Sequence, residues 1–132
     1  MEILSQRRFP GITVTAFSMA IMFTAKVAAG DADMPSQTVS LEPGKHKEVC
    51  LKMATGQAVG YQFTSDRPVA FNVHYHEGSA VEYPVRLDSV REASDRFVAD
   101  ADRGYCLMWS NRTKKKTDLT YRVDGPQELP AH

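Results

Sequence analysis

From Gln37 to Asp124 the chain repeats one device: a short run that alternates apolar and polar residues, then a turn. Val49, Leu51 and Met53 share one parity. So do Val59, Tyr61 and Phe63, then Phe71, Val73 and Tyr75, then Val81, Tyr83 and Val85. Tyr105, Leu107 and Trp109 repeat the pattern, as do Leu119, Tyr121 and Val123. Successive side chains of a strand point to opposite faces, so each set is predicted to line a core. Turn residues separate the runs at Glu42-Pro43-Gly44-Lys45, Ala54-Thr55-Gly56, Ser65-Asp66-Arg67-Pro68, Glu77-Gly78-Ser79 and Ala101-Asp102-Arg103-Gly104. Asp95 to Asp100 forms a further strand around Phe97, Leu87 to Ala93 reads as a loop or a short strand, and Pro84 suggests an edge strand. Strands recurring about every ten residues predict an all-β fold, an antiparallel β-sandwich of about seven to eight short strands with a jelly-roll-like character. No segment beyond residue 29 sustains a helical period.

Residues 1–29 differ from the rest. Arg7 and Arg8 precede an apolar stretch from Ile12 to Ala25, and Val27-Ala28-Ala29 closes it with small residues. This is the anatomy of a signal peptide, helical before removal. The apolar run is short for a membrane span, although a retained N-terminal anchor is the alternative. Arg7-Arg8-Phe9 bears a faint likeness to a twin-arginine signal. The expected organisation is a signal peptide at 1–29, a disordered linker at 30–36, the β-sandwich domain at 37–124 and a loose tail at 125–132. The expected location is periplasmic or extracellular, with no transmembrane span in the mature form.

Without residues 1–29 the chain holds 13 basic and 15 acidic residues. That balance gives no clustered basic footprint for nucleic acid. Both cysteines, Cys50 and Cys106, lie in the exported part, and an even count in an oxidising compartment favours a disulfide. The alternative is two unpaired thiols. Cys50 lies between Val49 and Leu51, and Cys106 between Tyr105 and Leu107, so both leave the core face. A bridge then predicts neighbouring strands with both sulfurs on the outer face of one sheet. Chain entropy puts its worth at roughly 4 kcal/mol.

Three stretches carry a family resemblance. Tyr61-Gln62-Phe63-Thr64-Ser65-Asp66 leads through a turn to Val69-Ala70-Phe71-Asn72-Val73. Gly104-Tyr105-Cys106-Leu107-Met108-Trp109-Ser110-Asn111 and Leu119-Thr120-Tyr121-Arg122-Val123 follow. From Leu41 to Val123 the pattern resembles the GOLD domain, the β-sandwich of early-secretory-pathway cargo receptors. In those receptors the second cysteine sits just before the aromatic, where this chain has Met108; Cys106 lies two residues earlier, on the same face. No coiled coil, transmembrane helix or cytoplasmic tail accompanies the pattern, so the receptor role does not transfer. The resemblance implies a stand-alone secreted domain that contacts a protein or ligand.

The sharpest local feature is Asn72-Val73-His74-Tyr75-His76-Glu77-Gly78. With Phe71, Val73 and Tyr75 in the core, Asn72, His74 and His76 share the outer face. Two histidines at i and i+2 stand about 6.5–7 Å apart at Cα, close enough for both imidazoles to reach one copper or zinc ion. Glu77 and His46 are the candidates to complete such a metal site, and Met108 with Cys106 would favour Cu(I). Structural zinc takes four ligands and catalytic zinc three, so the pair alone is incomplete. The first expectation is therefore a partner-binding face centred on Asn72, His74, His76 and Glu77. A metal-binding protein using His74 and His76 is the alternative, and a purely structural accessory domain is the third reading.

Lys114-Lys115-Lys116 forms a basic loop that could touch an anionic surface, and Asn111-Arg112-Thr113 matches the N-glycosylation sequon. No nucleophile elbow, metalloprotease helix, phosphate loop or paired-cysteine redox motif occurs. The chain reads as a non-enzymatic binding module.

Overall fold

The computed structural model describes residues 35–126 together with Gly11. The rest of the signal segment, residues 30–34 of the linker and the tail from residue 127 lie outside the described residues. Six strands form: β1 Gln37–Leu41, β2 His46–Met53, β3 Ala58–Glu77, β4 Ala80–Val98, β5 Arg103–Ser110 and β6 Thr117–Asp124. No helix occurs among the described residues, so none there is long and apolar enough to cross a membrane.

The pairings are all antiparallel, in the order β1-β6-β3-β5-β2 with β4 also on β3. A strand has two edges. Along β3 one edge is taken by β4 from Ala58 to Glu77. The other is divided: Gly60–Ser65 pairs with β6, and Ala70–His74 pairs with β5. The exchange falls at the Asp66-Arg67-Pro68 turn signal, where the β3–β4 register also shifts. The long hairpin folds over at this point and serves two layers. The first holds β1, β6, the first half of β3 and the end of β4. The second holds β2, β5, the second half of β3 and the start of β4. Counted this way, the two bent strands supply four of eight segments. The all-β antiparallel sandwich is the observed architecture, and the separate short strands expected on either side of Ser65 and Leu87 are continuous.

The inward parity fills the space between the layers. Phe63, Phe71, Tyr105, Leu107, Trp109 and Leu119 are fully buried. The Phe63 ring lies 5.0 Å from Phe71 and 5.8 Å from Trp109, and Trp109 of the second layer lies 4.9 Å from Tyr121 of the first. Burying each such side chain contributes about 1.5–3 kcal/mol, so these rings hold the layers together.

One expected core set turns outward. Val81 and Tyr83 are 37% and 44% exposed, while Val85 and Leu87 stay packed on the core. Val73 pairs with Val85 but Tyr75 pairs with Glu82, so β4 carries one extra residue across this interval. A bulge of this kind reverses the facing of every residue beyond it. Pro84 sits inside it, where a residue without an N–H costs no ladder bond. The edge position read from Pro84 holds, since among the described residues β4 pairs only with β3.

Turns set the register. Gly78, at φ +62, occupies the first central position of a two-residue hairpin, and no non-glycine residue among the described ones has positive φ. That is the type II′ pattern, whose twist matches paired strands. Asn111 anchors the β5–β6 loop. Its side chain is fully buried, and Nδ2 donates to Leu41 O and Lys115 O, both at 2.8 Å. Oδ1 accepts from Thr113 N at 2.9 Å and Thr113 Oγ1 at 2.7 Å. The sequon amide is thus a structural strut, with both N–H groups committed inside the fold.

Cys50 and Cys106 are bonded and directly opposite in the β2–β5 ladder, 4.0 Å apart at Cα. Their outward parity places the bridge on the exterior of the second layer, as the sequence predicts. It closes a 56-residue separation.

Candidate functional site

The outer face of the second layer is built from the alternate residues of four strands. Reading across it, Cys50 of β2 faces Cys106 of β5, which faces His74 of β3. The adjacent row is Glu48, Met108, Asn72 and Arg86. Beyond His74 lie His76 and its partner Val81, and the bulge brings in the Tyr83 ring. The disulfide therefore lies beside the histidine pair, at the centre of the face.

His74 is on the outer face yet only 5% exposed. The Tyr83 ring packs 5.8 Å from its ring and the His76 ring 5.4 Å away, edge to face. Asn72, 6% exposed, aims its side-chain carbonyl at His74 Nδ1 across 2.7 Å. A carbonyl oxygen only accepts, so Nδ1 carries the proton and the neutral ring presents its lone pair at Nε2. Burial pushes the His74 pKa below the usual imidazole range; neighbouring His76 acts in the same direction and Glu48 opposes both. His74 is accordingly a neutral, oriented base near pH 7, whereas His76 is exposed.

Two expected members do not join. Glu77 shares parity with Tyr75, so it leaves the opposite face, and its Oε2 lies 3.6 Å from Arg103 Nη1. The Arg103 guanidinium in turn lies over the Tyr75 ring at 4.0 Å. Glu77 therefore closes one end of the sandwich rather than the site. His46 lies on the correct face but pairs with Ser110, in the same row as Ala70. Two strand spacings and four residues of rise separate it from His74, about 16 Å. It is too distant to share an ion with His74.

The residue that does join is Glu48. One donor atom each from Glu48, His74 and Cys106 lie within 4.8 Å of one another. Glu48 Oε1 also lies 3.0 Å from Cys50 Sγ. In the cystine there is no thiol proton, so that approach is a contact and not a hydrogen bond. The signal was available: Glu48 has the parity of Cys50, two residues on, and the bridge itself fixes which strands are neighbours.

The outer face of the first layer has a different chemistry. Thr38 and Thr120 share a hydroxyl contact of 2.9 Å, and Arg122 Nη2 donates to Gln62 Oε1 at 3.0 Å. A shallow groove there, of about 470 Å³, is lined by Gly60, Gln62, Ser94, Arg96 and Asp124 among others. Tyr61 also lines it but is only 5% exposed. Lys114, Lys115 and Lys116 are exposed on the β5–β6 loop, away from both faces' centres.

No family model matches the chain, and no curated protein matches it. Among solved structures it is similar to the Yersinia pseudotuberculosis-derived mitogen, at TM-score 0.49 and 12% identity over 70% of this chain and 85% of that one. It is also similar to Aeromonas hydrophila PliG, a periplasmic inhibitor of g-type lysozyme, at 0.45 and 13% over 68% and 85%. A structure described as CBM4 gives 0.42 and 14% over 68% and 83%. At these identities function has to be argued from the chain's own side chains.

Proposed function

We propose that this chain is an exported, non-enzymatic binding module that docks a protein or small ligand on the outer face of its second layer. The observation that carries this reading is the contrast between the two outer faces. The second layer gathers Tyr83 and Val81 beside exposed His76 and half-buried Met108, whereas the first displays hydroxyls, amides and charges with one exposed apolar side chain, Val98, at the end of β4. A rigid aromatic with neighbouring apolar and imidazole groups is the composition of a recognition patch. The cystine supports export, because such bridges persist outside the reducing cytosol. The GOLD resemblance agrees with a contact role.

The test is a paired comparison of the oxidised protein. Tyr83→Ser with His76→Ala alters the second layer's face, and Gln62→Ala with Arg122→Ala alters the first. Photo-crosslinking in the exporting cell should yield an adduct that the first pair removes and the second pair keeps. An adduct lost only with the Gln62 and Arg122 changes would move the binding site to the other layer. Equal adducts in all three proteins would sink the reading.

A further inference from the structure

The centre of the second layer's face holds more ligand chemistry than a docking surface needs. We propose that reduction of the Cys50–Cys106 bridge converts it into a four-donor site for a thiophilic divalent ion of the zinc class. The donors are Cys50 Sγ, Cys106 Sγ, His74 Nε2 and a Glu48 carboxylate oxygen. This is independent of the docking reading, which concerns the oxidised protein.

The argument begins with spacing. Donor atoms of Glu48, His74 and Cys106 are within 4.8 Å of one another, Glu48 Oε1 is 3.0 Å from Cys50 Sγ, and the two sulfurs are bonded to each other. Around a tetrahedral ion, with metal–sulfur bonds near 2.3 Å and metal–nitrogen or metal–oxygen bonds near 2.1 Å, donors stand about 3.4–3.8 Å apart. The two sulfurs, no longer bonded, move apart to this spacing, and the other donors close by at most about 1 Å. Rotations about side-chain bonds cover both movements, and the three β-ladders hold the Cα atoms fixed.

The second argument is charge. In the cystine both sulfurs are neutral and poor ligands, leaving the carboxylate and the imidazole, two donors short of a structural zinc set. Reduction supplies two thiolates, the soft donors that select zinc over calcium or magnesium. The electron balance is simple. A dithiol reductant gives two electrons and two protons to the S–S bond, forming two thiols and its own disulfide. Metal binding then releases the thiol protons.

The third argument is preparation of the histidine. The Asn72 carbonyl at 2.7 Å from His74 Nδ1 fixes the tautomer whose free lone pair is at Nε2. A hydrogen-bond partner of this kind normally accompanies a ligating histidine. Asn72 and His74 are buried on a sheet exterior where most neighbours are exposed, and this site gives their burial a use.

Cobalt(II) tests the proposal, because thiolate ligation gives a charge-transfer band and tetrahedral geometry gives intense visible absorption. The full protein is reduced with a phosphine, desalted without oxygen and titrated with Co(II), with near-ultraviolet circular dichroism reporting the core. The expected result is one Co(II) per chain with both bands, displaced by Zn(II), and none with oxidised protein. His74→Ala should weaken binding at least tenfold, Glu48→Gln less, and Cys50→Ser with Cys106→Ser should abolish it. If reduction unfolds the chain, Zn(II) should restore the near-ultraviolet signal at one equivalent. The proposal is overturned by folded, reduced protein without the bands. It is equally overturned by unfolded protein that zinc does not restore, or by His74→Ala binding as tightly as the parent.

Discussion

Replacing Asn111 with alanine should destabilise the domain far more than its place in a surface loop suggests. The parent amide makes four hydrogen bonds from a fully buried position: two donated to Leu41 O and Lys115 O, two accepted from Thr113. At roughly 1 kcal/mol net for each bond, the loss comes to about 4 kcal/mol. The single Thr113 hydroxyl proton, shared in the parent between Asn111 Oδ1 and Lys115 O at 2.9 Å, can turn wholly to Lys115 O, which returns part of this. The expected cost is therefore about 3 kcal/mol, a large fraction of a small domain's stability. Urea unfolding followed by Trp109 fluorescence measures it, as a lower midpoint at unchanged slope. Asn111→Asp sharpens the test. It keeps the acceptor but turns an oxygen toward two carbonyls, so ionisation is opposed in the folded state and the new carboxyl's pKa rises there. A raised folded-state pKa means stability is gained as pH falls, so the aspartate variant should recover on acidification and the alanine variant should not. A loss below about 1 kcal/mol for alanine, or an aspartate variant as stable as the parent at pH 7, would refute the strut.

Three further expectations follow from the same contacts. Because the His74 pKa is lowered in the folded state, the unfolded chain binds the extra proton first. Stability from that group is full above its ordinary value near 6.5 and declines as pH falls through that value toward the folded-state pKa; a His74→Gln variant should lack this decline in melting temperature between pH 7 and 5. Tyr83→Ala uncovers the imidazole, so the His74 titration followed by NMR should move up toward its ordinary value, and an unmoved midpoint would show that the ring contributes no desolvation. Cys50→Ser with Cys106→Ser removes a cross-link over 56 residues and should cost about 4 kcal/mol in urea unfolding.

The parts of this structure legible in the sequence are those set by local rules. Alternation placed Phe63, Phe71, Trp109 and Tyr121 in the core, and turn chemistry found Gly44, Gly56 and Gly78. Cysteine parity placed the bridge on a sheet exterior. What escaped depends on pairing over distance. A single bulge at Pro84 inverts Val81 and Tyr83, and nothing local says whether a proline in an edge strand also adds a residue. The shared strand β3 is read as two because its bend carries turn residues. The bridge sets Glu48 beside Cys106, but its nearness to His74 depends on β3 pairing with β5, which no local rule gives, and Glu77, one step past His76, falls on the other face.

The ladder order has a consequence for how the chain is made. Among the described residues β1 pairs only with β6, and β2 only with β5. The first two strands to leave the ribosome are thus the ones with no partner until the last two exist. Contacts such as Tyr121 Oη to Gln37, 84 residues apart in sequence, close last and slowly. A nascent chain of this topology cannot fold from its front end as it grows. The β3–β4 hairpin can pair within itself once residue 98 is out, but β2 waits for β5 at residue 110 and β1 for β6 at residue 124. Slow closure of this kind is compatible with the export proposed above, in which the chain crosses a membrane before it takes its shape.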